Sequence, residues 1–342
     1  MKRLFFILSG LVALLVLGCA GGDQEPKAER QQAPERKEWS NNICFFDDNY
    51  VVYGDVESVS IVKLKYKGEN TYDEQPMCHI TFNERGDVVR FDRYGSYVYE
   101  FAYDARANKV EERQFERGEL TSQLTYEYDS KDHLVNEVGY YYNMQCNYSH
   151  IYDDNGNEVE YINYPDAFRQ KYVYNADNQL VESNAYSLDG KEHRVAEINE
   201  YDANGNLVSI TYKSVLANSI WRKDTFVYDD NNHKVEYNIF SYNDDGSVER
   251  SVERFNEYGD LIEELDYNAD GTLDSRKVYE YDDCGSLVDE KRYDGEGNVE
   301  KHYVYHLEYD AQGNRISSEK RRIIDANSWA VEELLRYDIV YR

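Results

Sequence analysis

The chain has 342 residues and carries 67 acidic against 38 basic side chains, which gives a formal net charge of −29. A surface this acidic repels a phosphate backbone, so the composition argues against a nucleic acid partner. The chain also has 35 tyrosines but only 3 methionines and 4 prolines. This balance favours half-buried strands over a deep aliphatic core, because a tyrosine ring is apolar while its hydroxyl can stay in water.

Residues 1–19 predict an export signal. Two basic residues precede an apolar run that ends at Leu17, and Gly18 and Cys19 follow it. This order is typical of a secretory signal rather than of a spanning helix. A cysteine directly after a small residue resembles a bacterial lipoprotein signal, in which the cysteine is lipidated and becomes the mature N-terminus. We therefore expect Cys19 to carry a lipid that anchors the chain in the outer membrane, facing the periplasm or the cell surface. The alternative is an ordinary cleaved signal with an incidental cysteine.

Three further segments follow the signal. Residues 20–42 are polar and charged, contain Pro26 and Pro34 and show no apolar periodicity, so they predict a flexible tether. Residues 43–78 are an entry segment whose Val, Ile and Tyr content predicts N-terminal capping strands. Residues 79–342 form a repeat domain.

The repeat is defined by a turn pattern that is clearest at residues 152–159. An aromatic strand residue is followed by Asp or Asn, whose side chain can hydrogen-bond the backbone two residues on. A Gly or Asn then takes the positive-φ position, and an apolar residue starts the outgoing strand. The intervals between copies, 21 to 28 residues, are those of repeat architectures. The ten copies are Phe82 to Gly86, Tyr103 to Asn108, Tyr128 to His133, Tyr152 to Gly156, Tyr174 to Asn178, Tyr201 to Gly205, Tyr228 to Asn232, Phe255 to Gly259, Tyr281 to Gly285 and Tyr309 to Gly313.

A second, weaker turn lies near the middle of each repeat, so one repeat is one up-and-down hairpin. The paired aromatics before the main turn are two residues apart, as in Tyr126 and Tyr128, and therefore project to one face of the sheet. The fold class predicted is all-β: an elongated antiparallel β-meander of about ten hairpin repeats, forming a curled single sheet or a solenoid-like coil with the Tyr and Leu face inside the curve. The last two strands are predicted at residues 315–324 and 330–341.

The pattern aromatic-x-Tyr-Asp-x-x-Gly, seen at residues 279–287 and 308–314, resembles the Rhs/YD repeats of bacterial surface and toxin-associated proteins. In architecture the chain is most similar to the YD-repeat lipoproteins of gut-type Bacteroidetes, over about residues 54–342. The resemblance implies a spiralling β-sheet and no particular reaction. Large members of the family form a shell around a toxin, but this chain is too short for a shell, so we do not expect encapsulation.

One stretch suggests a metal site. Asp266, Asn268, Asp270 and Asp274 match the first nine positions of a calcium loop, with Gly at the sixth. The twelfth position is Lys277 instead of a bidentate Glu. The alternative is that these side chains only satisfy the backbone of a mid-repeat turn.

Other candidate groups are sparse. Cys44 and Cys78 both fall in the entry segment, and an exported protein permits a disulfide between them; the alternative is separate thiols. No spacing among the seven histidines predicts a metal site or a general base, and no cofactor motif occurs. The histidines are His79, His133, His150, His193, His233, His302 and His306.

Two classes of function follow. The first is a non-catalytic surface lipoprotein whose repeat scaffold binds a protein or a glycan. The second is a hydrolase or a toxin-neutralising, immunity-type protein with a site on the mid-repeat edge. The most irregular stretches on that edge are residues 143–150, 161–170 and 212–221, and a site there requires that they cluster.

Overall fold

The computed structural model describes residues 36–37, 52–68, 71–94, 96–190, 193–215 and 217–342. These residues form 24 β-strands and no helix. In chain order the strands are β1 Arg36–Lys37, β2 Val52–Tyr53, β3 Val56–Gly68, β4 Thr71–Phe82, β5 Val88–Arg93, β6 Tyr97–Tyr103, β7 Lys109–Glu116, β8 Glu119–Tyr128, β9 Leu134–Tyr141, β10 Met144–Tyr152, β11 Glu158–Asn163, β12 Phe168–Tyr174, β13 Leu180–Ser187, β14 His193–Tyr201, β15 Leu207–Ser214, β16 Ser219–Tyr228, β17 Lys234–Tyr242, β18 Val248–Phe255, β19 Leu261–Tyr267, β20 Leu273–Tyr281, β21 Leu287–Asp294, β22 Val299–Tyr309, β23 Arg315–Asp325 and β24 Ser328–Tyr341.

The main turns are built as the sequence predicts. In the turn after β10, the amide of Asp153 donates to the carbonyl of Asn157 at 2.9 Å, and Gly156 takes a φ of 87°. The Asp153 carboxylate accepts from the amides of Asn155 and Asn157, each at 2.9 Å. All ten predicted main turns contain one positive-φ residue. Two of these residues are neither Gly nor Asn, namely Ala107 and Asp132.

The tyrosine that precedes each turn has a role that composition does not indicate. The Tyr152 hydroxyl does not stay in water but donates to the carbonyl of Leu134, at the start of the preceding strand, at 2.9 Å. The same bond occurs in six other repeats and ties their main turns to the previous one, whereas Phe82 and Phe255 have no hydroxyl and Tyr309 donates to the carboxylate of Asp282. The other members are Tyr103 to Val88, Tyr128 to Lys109, Tyr174 to Glu158, Tyr201 to Leu180, Tyr228 to Leu207 and Tyr281 to Leu261.

The all-β fold of antiparallel strands is confirmed, but the elongated open meander is not. Strands β3 to β24 form one closed barrel of 22 strands, because the last strand pairs antiparallel with β3. The prediction of a curled or solenoid-like sheet with two open edges is therefore wrong. Closure leaves no free edge in the barrel sheet, whereas an open meander exposes two. The predicted last strand pair is confirmed as β23 and β24.

Polar contacts fix the seam between the two ends of the barrel. The buried Asn314 side chain donates to the carbonyl of Tyr53 at 2.9 Å and accepts from its amide at 2.6 Å. The Arg342 guanidinium donates to the carbonyl of Phe82 at 2.6 Å and to the carboxylate of Asp55 at 2.8 Å. The first and last strands of the barrel are thus joined by side-chain hydrogen bonds as well as by the backbone hydrogen bonds between β24 and β3.

One face of the sheet carries the apolar core. Val59 is in register with Ile80, and Ile80 with Phe91, so their side chains share a face. All three are at most 1% exposed. Continuing this register through every strand brings the paired tyrosines onto the same side, which we call the inner face. The core cluster comprises Val52, Val56, Val59, Ile61, Cys78, Ile80, Phe82, Val88, Phe91, Phe101, Leu335 and Tyr337.

Several sequence predictions lie partly or wholly outside the described residues. These are the signal at 1–19 with Cys19, all of the tether at 20–42 apart from β1, and Cys44. The predicted capping strands at 43–78 are described in part, and there β3 and most of β4 belong to the barrel itself. None of the described residues forms a helix with the length and apolar character that a membrane crossing requires.

Candidate functional site

The inner face changes character away from the core cluster. Twenty-two strands about 4.8 Å apart give a circumference of roughly 105 Å, and barrels of this strand number enclose more space than wall side chains fill. From β7 to β23 the inner face carries half-buried aromatic and charged side chains. Burial raises the pKa of Tyr161 and of Tyr212 to about 12, so their hydroxyls stay neutral donors at physiological pH.

The most buried charge on this face is the carboxylate of Asp224, which is 1% exposed. Arg222, two residues earlier on β16, holds it in a bidentate pair with distances of 2.7 and 2.8 Å. The Tyr237 hydroxyl on β17 donates to the same carboxylate at 2.9 Å and accepts from Arg222 at 2.8 Å. Both carboxylate oxygens are thus occupied, and the pKa of Arg222 is raised chiefly by its hydrogen bonds to Asp224. Asp224 orients Arg222 and is not free to act as a base.

An aromatic pair lies beside this ion pair. The rings of Tyr212 and Trp221 are 5.3 Å apart at 42°, and the Arg222 guanidinium lies 5.4 Å from the Tyr212 ring centre. Glu197 on β14 is in register with Tyr212. Burial, and then the negative charge of Asp224, raise the pKa of Glu197. The cluster therefore combines two aromatic rings, a neutralised arginine and a protonatable carboxylate.

A second charged cluster joins three strands. His150 on β10 contacts Glu158 of β11 at 2.7 Å and Glu137 of β9 at 3.2 Å. Burial lowers the pKa of His150, but the bonds and charges of the two glutamates raise it overall to about 9. The imidazole is therefore charged at neutral pH and bridges two carboxylates. The Tyr161 ring lies 5.2 Å away.

A shallow groove of about 640 Å³ lies at the mid-repeat rim, between the β7–β8 and β9–β10 turns. Of the three irregular stretches, residues 143–150 reach it through Asn143, while 161–170 and 212–221 contribute no lining residue. They lie at the β11–β12 and β15–β16 turns of the same rim. The stretches thus follow an arc and do not share one cleft. The groove is lined by Glu116, Arg117, Glu119, Leu120, Thr121, Tyr142 and Asn143.

The residues of the predicted calcium loop are divided between strand and turn. Asp266 lies on β19 and accepts hydrogen bonds from two serine hydroxyls on neighbouring strands, at 2.7 and 3.0 Å. Asn268 and Asp270 lie in the following turn, where Asp270 accepts from the amide and hydroxyl of Thr272. Asp274 lies on β20. In the part of the chain that the structure describes, no group of three or more His, Cys, Asp or Glu is arranged to hold a metal ion. The calcium site stays a prediction.

The cysteine prediction also stays open. Cys78 is buried in the core cluster, but Cys44 lies outside the described residues. The sequence did not single out His150, because its two glutamate partners come from neighbouring strands, nor the Arg222–Asp224 pair, because Tyr237, which completes it, lies on β17. One available signal was the alternation Arg222-x-Asp224 directly after an irregular stretch that ends in Trp221.

No family model matches the sequence, and no curated protein matches it. Among solved structures, the chain is similar to a Tc holotoxin pore from Photorhabdus luminescens, with 9% identity over 76% of this chain and a TM-score of 0.31. It spans only 19% of that toxin chain. A porin-like protein from Bacteroides uniformis is 10% identical over 83% of this chain and 96% of its own, with a TM-score of 0.27. One from Bacteroides vulgatus is 11% identical over 84% and 99%, with the same TM-score. At these values the likeness identifies neither a family nor a function.

Proposed function

We propose that this chain is a non-catalytic lipoprotein of the YD-repeat type whose inner face binds a glycan. The observation that carries the proposal is the aromatic and charged lining that continues on the inner face from β7 to β23. Tyrosine and tryptophan present large flat apolar surfaces with polar edges, which suits them to ligands that are apolar on one side and hydroxylated on the other. The hydrogen bonds that tie the turns together hold these rings in fixed positions.

A binding role fits the inner face better than catalysis does. The most buried carboxylate, Asp224, is saturated by Arg222 and Tyr237. His150 is held between two glutamates. Groups engaged in this way orient their neighbours but do not accept a proton from a substrate.

The direct test is a glycan array probed with the full chain purified in detergent, together with a pull-down from an envelope extract. We expect selective retention of a glycan class on the array. Retention of one protein with no glycan signal would replace the glycan by a protein partner, and no retention in either format would reject the binding role.

The lipid anchor has a separate test. Metabolic labelling with an alkyne fatty acid should label the wild type and not a Cys19→Ala variant. Labelling of both would reject Cys19 as the modified residue.

A further inference from the structure

We infer that the inner face around Tyr212, Trp221 and Arg222 is a binding subsite for a neutral oligosaccharide. The inference rests on the proposed function and narrows it to one place and one ligand class. It starts from a β-bulge between β15 and β16. Tyr212 pairs with Arg222 and Lys213 pairs with Ile220, so Trp221 is the extra residue. A bulge redirects a side chain, and here it brings Trp221 against Tyr212.

The aromatic pair is accessible and shaped for a ring. Trp221 retains 46% of its surface although its ring contacts Tyr212. The 42° between the ring planes makes an open angle rather than a flat stack. A sugar ring presents an apolar face of C–H groups, which packs on such a surface and removes apolar area from water.

Polar groups with fixed positions surround the aromatic pair. Arg222 is held by the buried Asp224, so its remaining N–H donors point in a set direction. Glu197 supplies acceptor oxygens next to Tyr212. Asn199 lies two residues after Glu197, on the same face of β14. It is 8% exposed, and its Oδ1 has no hydrogen-bond partner among the described residues. That oxygen is enclosed by the protein, so the half-buried Arg222 and Glu197 are the polar groups that a ligand can contact.

The charges favour a neutral ligand. The positive charge of Arg222 is compensated by Asp224, so the pair attracts an anion weakly, and the Glu197 carboxylate in register with Tyr212 repels one. The same guanidinium lies 5.4 Å from the Tyr212 ring centre and occupies the place that an organic cation takes in an aromatic cage. A polyhydroxylated neutral molecule can contact the donors, acceptors and ring faces without the desolvation cost of burying a charge of either sign.

The experiment titrates the full chain with maltohexaose, xylohexaose, cellohexaose and chitohexaose by calorimetry and tryptophan fluorescence. Oligogalacturonate and hexalysine serve as charged comparators. We expect one neutral oligosaccharide to bind, with affinity reduced at least tenfold by Trp221→Ala and less than threefold by Trp221→Phe. The matched control is Trp329→Ala, because Trp329 lies elsewhere, with Arg321 stacked 4.2 Å from its ring centre. Circular dichroism melts of each variant show whether the fold is kept.

The remaining outcomes separate the subsite from the broader function. Unchanged oligosaccharide affinity in both Trp221→Ala and Tyr212→Ala overturns the subsite and leaves glycan binding standing. Tight binding of oligogalacturonate or hexalysine alone overturns the neutral class. If no probe binds here and the array is empty as well, the subsite and the proposed function fail together.

Discussion

The two sectors of the inner face use the same hairpin repeat in different ways. In the apolar sector, formed by β3 to β6 and β24, Val59, Ile80 and Phe91 are at most 1% exposed. In the tyrosine sector, from β7 to β23, side chains such as Phe226 stay half-buried and stack on a neighbour, here Tyr237 at 4.9 Å. Apolar burial stabilises the first, while ring contacts and paired charges stabilise the second.

The position of the apolar sector explains the difference. It coincides with the seam, where β24 meets β3 across nearly the whole chain. Closing so long a loop costs conformational entropy that a local hairpin does not. Burial at about 25 cal/mol per Å² offsets that cost. Strands in the tyrosine sector pair only with sequence neighbours, so their inner face can carry polar side chains and serve binding.

The largest contrast should come from matched truncations of phenylalanine. Phe91→Ala leaves a cavity in the apolar sector and should lower the free energy of unfolding by about 3 to 5 kcal/mol. Phe226→Ala removes a half-buried ring and should cost only about 1 to 2 kcal/mol, since less area leaves water and the site opens to solvent. Urea unfolding at pH 7 measures both values.

Equal losses for the two variants would contradict the division into sectors. A change in the denaturant slope for Phe91→Ala alone would show instead that the sectors unfold separately. In that case the far-ultraviolet circular dichroism of the tyrosine sector should persist after β3 and β24 have separated.

Electrostatics in the tyrosine sector should make it sensitive to alkali. The pKa of His150 is about 9 in the folded state, against an ordinary value near 6.5. Its contribution to stability is therefore complete below about pH 6.5 and is lost as the pH rises through 9. The difference between wild type and His150→Gln, measured from pH 4 to 10, should shrink by at most about 3 kcal/mol as the pH rises through 9.

Comparison with the variant cancels the titration of groups that do not contact His150. A difference that stays constant across this pH range would mean that His150 is neutral in the fold. A loss confined to pH values below 6 would reverse the sign and assign the effect to the glutamates.

The sequence predicts the hairpins but not the closure of the barrel, and the reason is physical. Turn chemistry is local, so Asp153 and Gly156 indicate their turn without knowledge of the rest of the fold. Pairing between β3 and β24 depends on the accumulated twist of twenty intervening strands, which no local pattern encodes. The available hint was that the last strand and β3 each carry an apolar face, with Tyr337 and Ile339 opposite Ile61 and Val59.

The candidate site could be predicted from the sequence only in part. Trp221 fell in a stretch marked as irregular, which located one end of the cluster. Glu197 and Asp224 looked like any two of 67 acidic residues, because their environment comes from the pairing of β14 and of β16 with the strand between them, β15. The role of the repeated tyrosine was also hidden, since its hydroxyl bonds a carbonyl some twenty residues away.

A smaller effect is expected where the seam is tied by its last residue. Arg342→Ala removes hydrogen bonds to the carbonyl groups of Phe82 and Val56 and should cost about 1 to 2 kcal/mol. The control Arg254→Ala breaks more exposed ion pairs in the tyrosine sector and should cost at most about 1 kcal/mol. Hydrogen exchange should speed up in β3 and β24 for the first variant only. Unchanged hydrogen exchange in β3 and β24 would mean that Arg342 does not stabilise the seam.

The smallest effect concerns the tyrosine hydroxyl bond that most repeats make with the one before them. Tyr174→Phe deletes the hydroxyl that donates to the carbonyl of Glu158 at 2.9 Å and should cost about 1 kcal/mol, the usual net value of one hydrogen bond. Tyr164→Phe, at a 45% exposed position, should change stability by less than about 0.5 kcal/mol. Thermal melts of the two variants under identical conditions separate them. If both behave alike, the tyrosine sector is held by its rings and ion pairs alone, and the repeated hydroxyl bond adds nothing to its stability.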